Sequence, residues 1–139
     1  MVEAGDGSLR KALYQLSVYE AQAKELSRQA ELLQAGLEDI ISARAALEAL
    51  KSTKGAAIFP LGARVFVPAK QSKENIVLVD CGAGVMVEKS IDEAVAGLAE
   101  SMKNIQAGLS KAQEQLTAVS KNASQLNEYV EQLSKKARG

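Results

Sequence analysis

The sequence predicts an α+β fold in which two long helices pair as an antiparallel coiled-coil hairpin, with two β-hairpins between them acting as an assembly module. Three observations predict it. Ile91 to Ala137 carries an apolar seam of 14 positions whose steps alternate strictly between four and three. A second, less regular seam runs from Leu9 to Leu50, and between the two seams the apolar period changes from helical to two. A straight helix drifts by about 20° per heptad against such a seam, so each helix must supercoil around a partner to keep it covered. The expected organisation is a single domain, 1–139, with a coiled-coil helix over 8–54, two hairpins over 55–89 and a second coiled-coil helix over 90–138.

Met1 to Gly7, with its Gly5-Asp6-Gly7, reads as a disordered leader, and Ser8 as the N-cap of the first helix. The stripe then follows Leu9, Leu13, Leu16, Tyr19, Ala23, Leu26, Ala30, Leu33, Leu37, Ile40, Ala43, Leu47 and Leu50. Three-three doublets at Leu13 to Tyr19 and at Leu37 to Ala43 read as stammers that overwind the supercoil locally. Lys51 and Lys54 followed by Gly55 suit a helix C-terminus.

Next, Ala57 to Leu61 reads as a short strand that Pro60 confines to an edge or an end. After Gly62, Arg64 to Ala69 alternates, with Val65 and Val67 on one face and Phe66 on the other. Ile76, Val77, Leu78 and Val79 form an unbroken apolar run, the pattern of a strand covered on both faces. Gly82-Ala83-Gly84 turns the chain into Val85-Met86-Val87. The four strands predict two hairpins or one broken meander.

Ser90-Ile91-Asp92-Glu93 fits a capping box at the start of the second helix, with Ser90 accepting from the Glu93 amide and the Glu93 carboxylate reaching back to the Ser90 amide. The long seam follows: Ile91, Val95, Leu98, Met102, Ile105, Leu109, Ala112, Leu116, Val119, Ala123, Leu126, Val130, Leu133 and Ala137. Folding the helices back on each other pairs residues whose numbers add to about 143, placing Gly36 near Gly108 and Tyr14 near Tyr129.

Composition narrows the function. Acids and bases number 17 each and balance within every segment, so no basic face for nucleic acid emerges. A single cysteine, Cys81, cannot form an intrachain disulfide, and a chain without histidine would need carboxylates alone to hold a metal. A reducing, cytoplasmic setting is the expectation, with neither signal peptide nor membrane span supported. Catalysis is not expected. Gly82-Ala83-Gly84 lacks the Lys and Ser or Thr of a phosphate loop and leads into a strand, Cys81 has no activating neighbour, and Asp80 and Glu88 would flank an exposed turn. No enzyme, cofactor or metal is therefore expected.

Two surfaces carry functional content. Four short strands cannot enclose a core, so Ile58, Phe59, Leu61, Val65, Phe66, Val67, Ile76, Val77, Leu78, Val79, Val85 and Val87 are expected to be covered by other chains. At the free end of the coil the antiparallel fold gathers Leu9, Leu13, Tyr14, Leu16, Val18, Tyr19, Leu126, Tyr129, Val130 and Leu133, more apolar side chains than a two-helix seam can bury. This tip offers an apolar surface to another molecule, or else merely thickens the seam.

Phe59-Pro60-Leu61-Gly62, and Val77-Leu78-Val79-Asp80-Cys81-Gly82-Ala83-Gly84 followed by Val85-Met86-Val87-Glu88-Lys89-Ser90, set between two long helices, resemble the alpha subunits of the archaeal prefoldin family. The resemblance covers residues 8 to 139. Arg64 and Val85 depart from it, standing where the family's pattern has glycine and often tyrosine. The resemblance implies a hexamer of two alpha and four beta subunits, a double β-barrel platform built from the hairpins, and coiled-coil arms that hold unfolded client proteins at their tips without ATP. It also implies delivery of those clients to a group II chaperonin, with Lys135, Lys136 and Arg138 at the tip assisting contact with an acidic partner. The competing expectation is a passive scaffold or spacer that oligomerises through the same hairpins.

Overall fold

The computed structural model describes residues 2–138, and side-chain surroundings from 7 to 136. The element order is α1 (Val2–Ser52), β1 (Ala56–Gly62), β2 (Val65–Lys70), β3 (Ile76–Asp80), β4 (Met86–Ser90) and α2 (Ile91–Arg138). The chain divides into two compact units, Met1–Ala35 with Ile105–Gly139, and Gly36–Asn104.

The first unit contains helix pairs only. Along α2 the seam positions from Ile105 to Leu133 are buried or half-buried, while Ala137 lies outside the residues whose side chains are described. On α1 the rhythm is more regular than the sequence suggested. Ala12, 5% exposed, holds the seam position in place of Leu13, 47% exposed. Leu9, Ala12, Leu16, Tyr19 and Ala23 then step by alternate threes and fours, and the first stammer disappears. A small alanine fits the closest part of the interface, which leaves the larger leucine one position outside it. Helix α1 also starts at Val2, so the expected leader is helical and Ser8 lies within the helix rather than capping it.

Opposite Gly108 stands Leu33, where the sequence suggested Gly36: a Cβ built on Gly108 would lie 3.3 Å from Leu33 Cδ1. Glycine lets the leucine knob seat close to the facing backbone. At Gly97, in the second unit, a Cβ meets nothing within 4 Å. Gly97→Ala is therefore expected to raise unfolding stability by about 1 kcal/mol, the helix propensity difference, and Gly108→Ala by less because Leu33 has to shift. Thermal melts of the two variants side by side check this.

The second unit holds the inner ends of both helices and the hairpins. Lys51 Nζ donates to Asp92 Oδ1 at 2.7 Å, a pair whose numbers add to 143, as the antiparallel register requires. The hydrogen bond to Asp92 raises the Lys51 ammonium above its ordinary range, the Asp92 charge acting in the same direction. The expected doublet from Leu37 to Ala43 is also absent, because Ala43 is exposed. The change of step falls later, at Leu50, which turns inward where an unbroken heptad would place Lys51.

The strands form two separate two-stranded antiparallel sheets, β1 with β2 and β3 with β4. These are two hairpins rather than a meander, and neither sheet closes on itself. Ala63 and Arg64, at φ 48° and 65°, turn the first hairpin between Gly62 and Val65. Two successive left-handed residues define the primed turn that suits the strand twist, but a side chain with a Cβ is strained there. Arg64 accordingly belongs to the turn and the strand begins at Val65. Ala63→Asn with Arg64→Gly is expected to raise stability by about 1 kcal/mol, read as a shift in the urea midpoint at constant slope.

In the second turn Gly82, Ala83 and Gly84 all have positive φ, the Cys81 amide donates to the Val85 carbonyl at 2.8 Å, and Asp80 Oδ1 accepts from the Gly82 amide at 2.8 Å. This holds Val85 in the turn, so β4 starts at Met86 and continues to Ser90. The capping box is half realised. Ser90 Oγ accepts from the Glu93 amide at 3.1 Å, but the Glu93 carboxylate takes the Ser90 hydroxyl at 3.2 Å instead of its amide, and Ser90 itself is the last residue of β4, opposite Ile76. The Ile91 amide, the first of the helix, donates to the Asn75 carbonyl at 3.1 Å. Ile91 itself is 1% exposed and is the most buried large side chain described.

Candidate functional surfaces

The hairpin surface is built on the alternation of β-strands. Of the residues expected to be covered by other chains, Ile58, Leu61, Val65, Phe66, Val67, Leu78, Val85 and Val87 are exposed in the isolated chain, and Phe59, Ile76, Val77 and Val79 are half-buried. Ile58 is 70% exposed and Leu78 63%. Water contact on this scale is expensive, since each fully buried side chain of this type gains about 1.5–3 kcal/mol. Met86, also exposed, belongs to the same surface; its place in β4 beside Val87 was the available signal. Between the β3–β4 hairpin and the inner helix ends lies an apolar groove of about 730 Å³, lined by Leu47, Val77, Val79, Ala94 and Leu98 among others.

The coil-terminus surface lies in the first unit. Leu9, Leu16, Val18, Tyr19, Leu126, Val130 and Leu133 are half-buried, and Leu13, Tyr14 and Tyr129 are exposed, Tyr14 at 71%. Tyr19, Leu126 and Tyr129 line one groove with Gln15, Asn122 and Gln125. The helix pair thus brings the two sequence-distant sets together there, and Leu13 and Tyr14 face water one and two positions past the seam residue Ala12. Nothing in the structure explains the exposure of Leu32 and Ile41 further along α1.

The groups that could suggest chemistry are engaged in structure. Asp80 caps the Gly82 amide, and Glu88 Oε1 accepts from Lys73 Nζ at 2.9 Å. Cys81 is free and exposed at the turn. Among the described residues no cluster of histidine, cysteine and carboxylates could hold a metal ion, and no helix is long and apolar enough to cross a membrane. Glu25 is bridged by Arg28, whose hydrogen bond holds its carboxyl below the ordinary range.

Known proteins share this arrangement. The family profile described as Prefoldin subunit matches residues 19–136. Prefoldin subunit alpha of Pyrococcus horikoshii is 30% identical over 131 residues, spanning 92% of this chain and 88% of the relative. That of Methanobrevibacter smithii is 26% identical over 136 residues, spanning 97% and 93%. In a cryo-EM structure of filamentous PFD from Methanocaldococcus jannaschii, a chain 20% identical superposes with a TM-score of 0.70, covering 86% of this chain and 98% of that one, a likeness of fold. With the profile spanning most of both helices and both hairpins, and relatives matching nearly end to end, the chain belongs to the prefoldin family.

Proposed function

We propose that this chain is the alpha-type subunit of an ATP-independent holdase. The prefoldin family is a chaperone family, and both relatives named above are alpha subunits. The observation that carries the reading is the exposure of large apolar side chains, Leu13, Tyr14 and Tyr129, at a coil terminus. Capture of unfolded chains needs accessible apolar groups that adapt to many sequences rather than a shaped cavity for one. In this reading the tip residues hold unfolded clients. The hairpins join those of four beta subunits and a second alpha subunit in a β-barrel platform, and the loaded hexamer works in the cytoplasm, passing clients to a group II chaperonin.

The test is light scattering of a chemically unfolded client diluted into buffer with this chain, with a candidate beta subunit, and with their mixture, after the mass of each is measured by size-exclusion chromatography with multi-angle scattering. A hexamer that suppresses aggregation without ATP supports the holdase. An oligomer that leaves aggregation unchanged makes the chain a passive scaffold.

A further inference from the structure

One flank of the seam in the first unit carries amides where a coiled coil ordinarily carries charges. With Ala12 in the seam, Gln15, Gln22 and Gln29 recur at intervals of seven on α1, each just before a seam residue. On α2, Gln115 and Asn122 hold the equivalent places before Leu116 and Ala123. The two rows meet on the same side of the coil, where Gln15 and Asn122 line one groove and Gln22 and Gln115 the next. All five side chains are exposed.

The first hollow, of about 360 Å³, has the half-buried Tyr19 and Leu126 beneath Gln15, Asn122 and Gln125. The next, of about 460 Å³, lies one heptad further along, with Leu26 and Val119 beneath Gln22 and Gln115. The carboxylate beside it, Glu25, is bridged by Arg28 at 2.6 Å and takes the Gln29 side-chain amide at 3.4 Å, which ends the row. Among the described residues of this unit, side-chain hydrogen bonds stay within one helix, as from Gln29 to Glu25 and from Thr117 to the Gln113 carbonyl. Pairing of the helices therefore does not use these amides.

We propose that this amide-walled groove takes the main chain of an extended, unfolded client segment, an inference that deepens the holdase reading above and rests on it. A side-chain amide offers N–H donors and a carbonyl acceptor, the same complement as a peptide group, and carries no charge. The main chain is the one feature that every client shares, whatever its side chains. Neutral walls also avoid sorting clients by charge, as the Glu and Lys of an ordinary flank would. The spacing suits such a ligand. Seven helical residues span about 10.5 Å, and one three-residue turn of polyproline II, a major conformer of unfolded chains, spans about 9.3 Å. Successive amides thus meet the same face of the segment at about every third residue, and long glutamine side chains absorb the difference of about 1 Å. Tyr19, Leu126, Leu26 and Val119 receive the side chains between, and the exposed Tyr129 joins the first hollow to the coil terminus.

The test sets hydrogen bonding against apolarity. Gln15→Met, Gln22→Met and Asn122→Leu together keep the groove's size and make it more apolar. Gln15→Glu, Gln22→Glu and Asn122→Asp together keep its shape and acceptors but lose the N–H donors. The probe is reduced, carboxymethylated lysozyme, which stays unfolded, and its binding to the full chain assembled with a candidate beta subunit is titrated by fluorescence anisotropy. Both sets are expected to weaken binding at least about fivefold, because three hydrogen-bonding groups are lost or altered in each. Helical circular dichroism is expected to stay unchanged, and bis-ANS, an apolar dye without a peptide main chain, to bind the first set at least as well as the unaltered chain. A fall in bis-ANS binding would mark damage to the coil, and the second set then decides. The proposal is overturned if either intact set binds the unfolded probe as tightly as the unaltered chain does. Where the unaltered assembly still captures the probe, that result removes only the amide groove. Where the unaltered assembly captures none, the holdase reading falls as well.

Discussion

Ile91→Ala is expected to lower the unfolding free energy by about 3 kcal/mol, and Ile91→Val by about 1 kcal/mol. Ile91 sits where β4 becomes α2 and is tied to the residue before β3. Its side chain is 1% exposed, its amide takes the Asn75 carbonyl, and its neighbour Asp92 pairs with Lys51. Removing three carbons from a side chain this deeply buried leaves a cavity that the surroundings fill only in part. For a chain of this size the loss corresponds to a fall in melting temperature of roughly 10 °C. Urea denaturation followed by circular dichroism measures it, and a change below about 1 kcal/mol would mean that this junction relaxes freely.

The second large effect is on activity. Replacing Leu13, Tyr14 and Tyr129 together by serine removes the most exposed apolar groups of the coil terminus while leaving the seam residues Ala12, Leu16, Tyr19 and Leu126 in place. Stability is expected to change by less than about 0.5 kcal/mol per substitution, as at other surface positions. The amount of assembled chaperone needed to halve client aggregation is expected to rise at least about fivefold, because each lost contact of order 1 kcal/mol is repeated on every arm that carries it. The double variant Leu32→Ser, Ile41→Ser, also of exposed apolar residues but away from the terminus and from the hairpins, is the control. Equal loss per substitution in both sets would remove the terminus as the site of capture.

Much of this was legible in the residues, for physical reasons that differ by element. The α2 seam could be read position by position because a strict four-three rhythm admits one buried face. The α1 seam was misread at Leu13, because size was taken as the sign of burial where the interface selects the smaller Ala12. The strand run Ile76 to Val79 announced itself through β-branched residues, but the end of its partner strand β4 could not be placed from pattern alone. Val-Glu-Lys-Ser reads equally as strand or helix start, and the backbone bond from Ile91 to Asn75 decides it. The two candidate surfaces follow from counting apolar groups that no element of this chain could cover, and the groups counted on the strands are exposed or half-buried in the isolated chain. Met86 escaped that count.

The two helices meet the hairpins in different ways. Helix α1 reaches β1 through Thr53, Lys54 and Gly55, the last at φ 94°, whereas β4 becomes α2 with no residue between Ser90 and Ile91. Under mechanical load the two legs are therefore unequal. Tension along α1 meets Lys54 and Gly55 first, since Thr53 is held to the helix end by its amide to the Leu50 carbonyl and its hydroxyl to the Ala49 carbonyl. Tension along α2 passes at once into the β3–β4 ladder, where five pairs of residues share it in shear. The second helix is thus joined to its hairpin without a linker and is the stiffer connection, whereas the first has one.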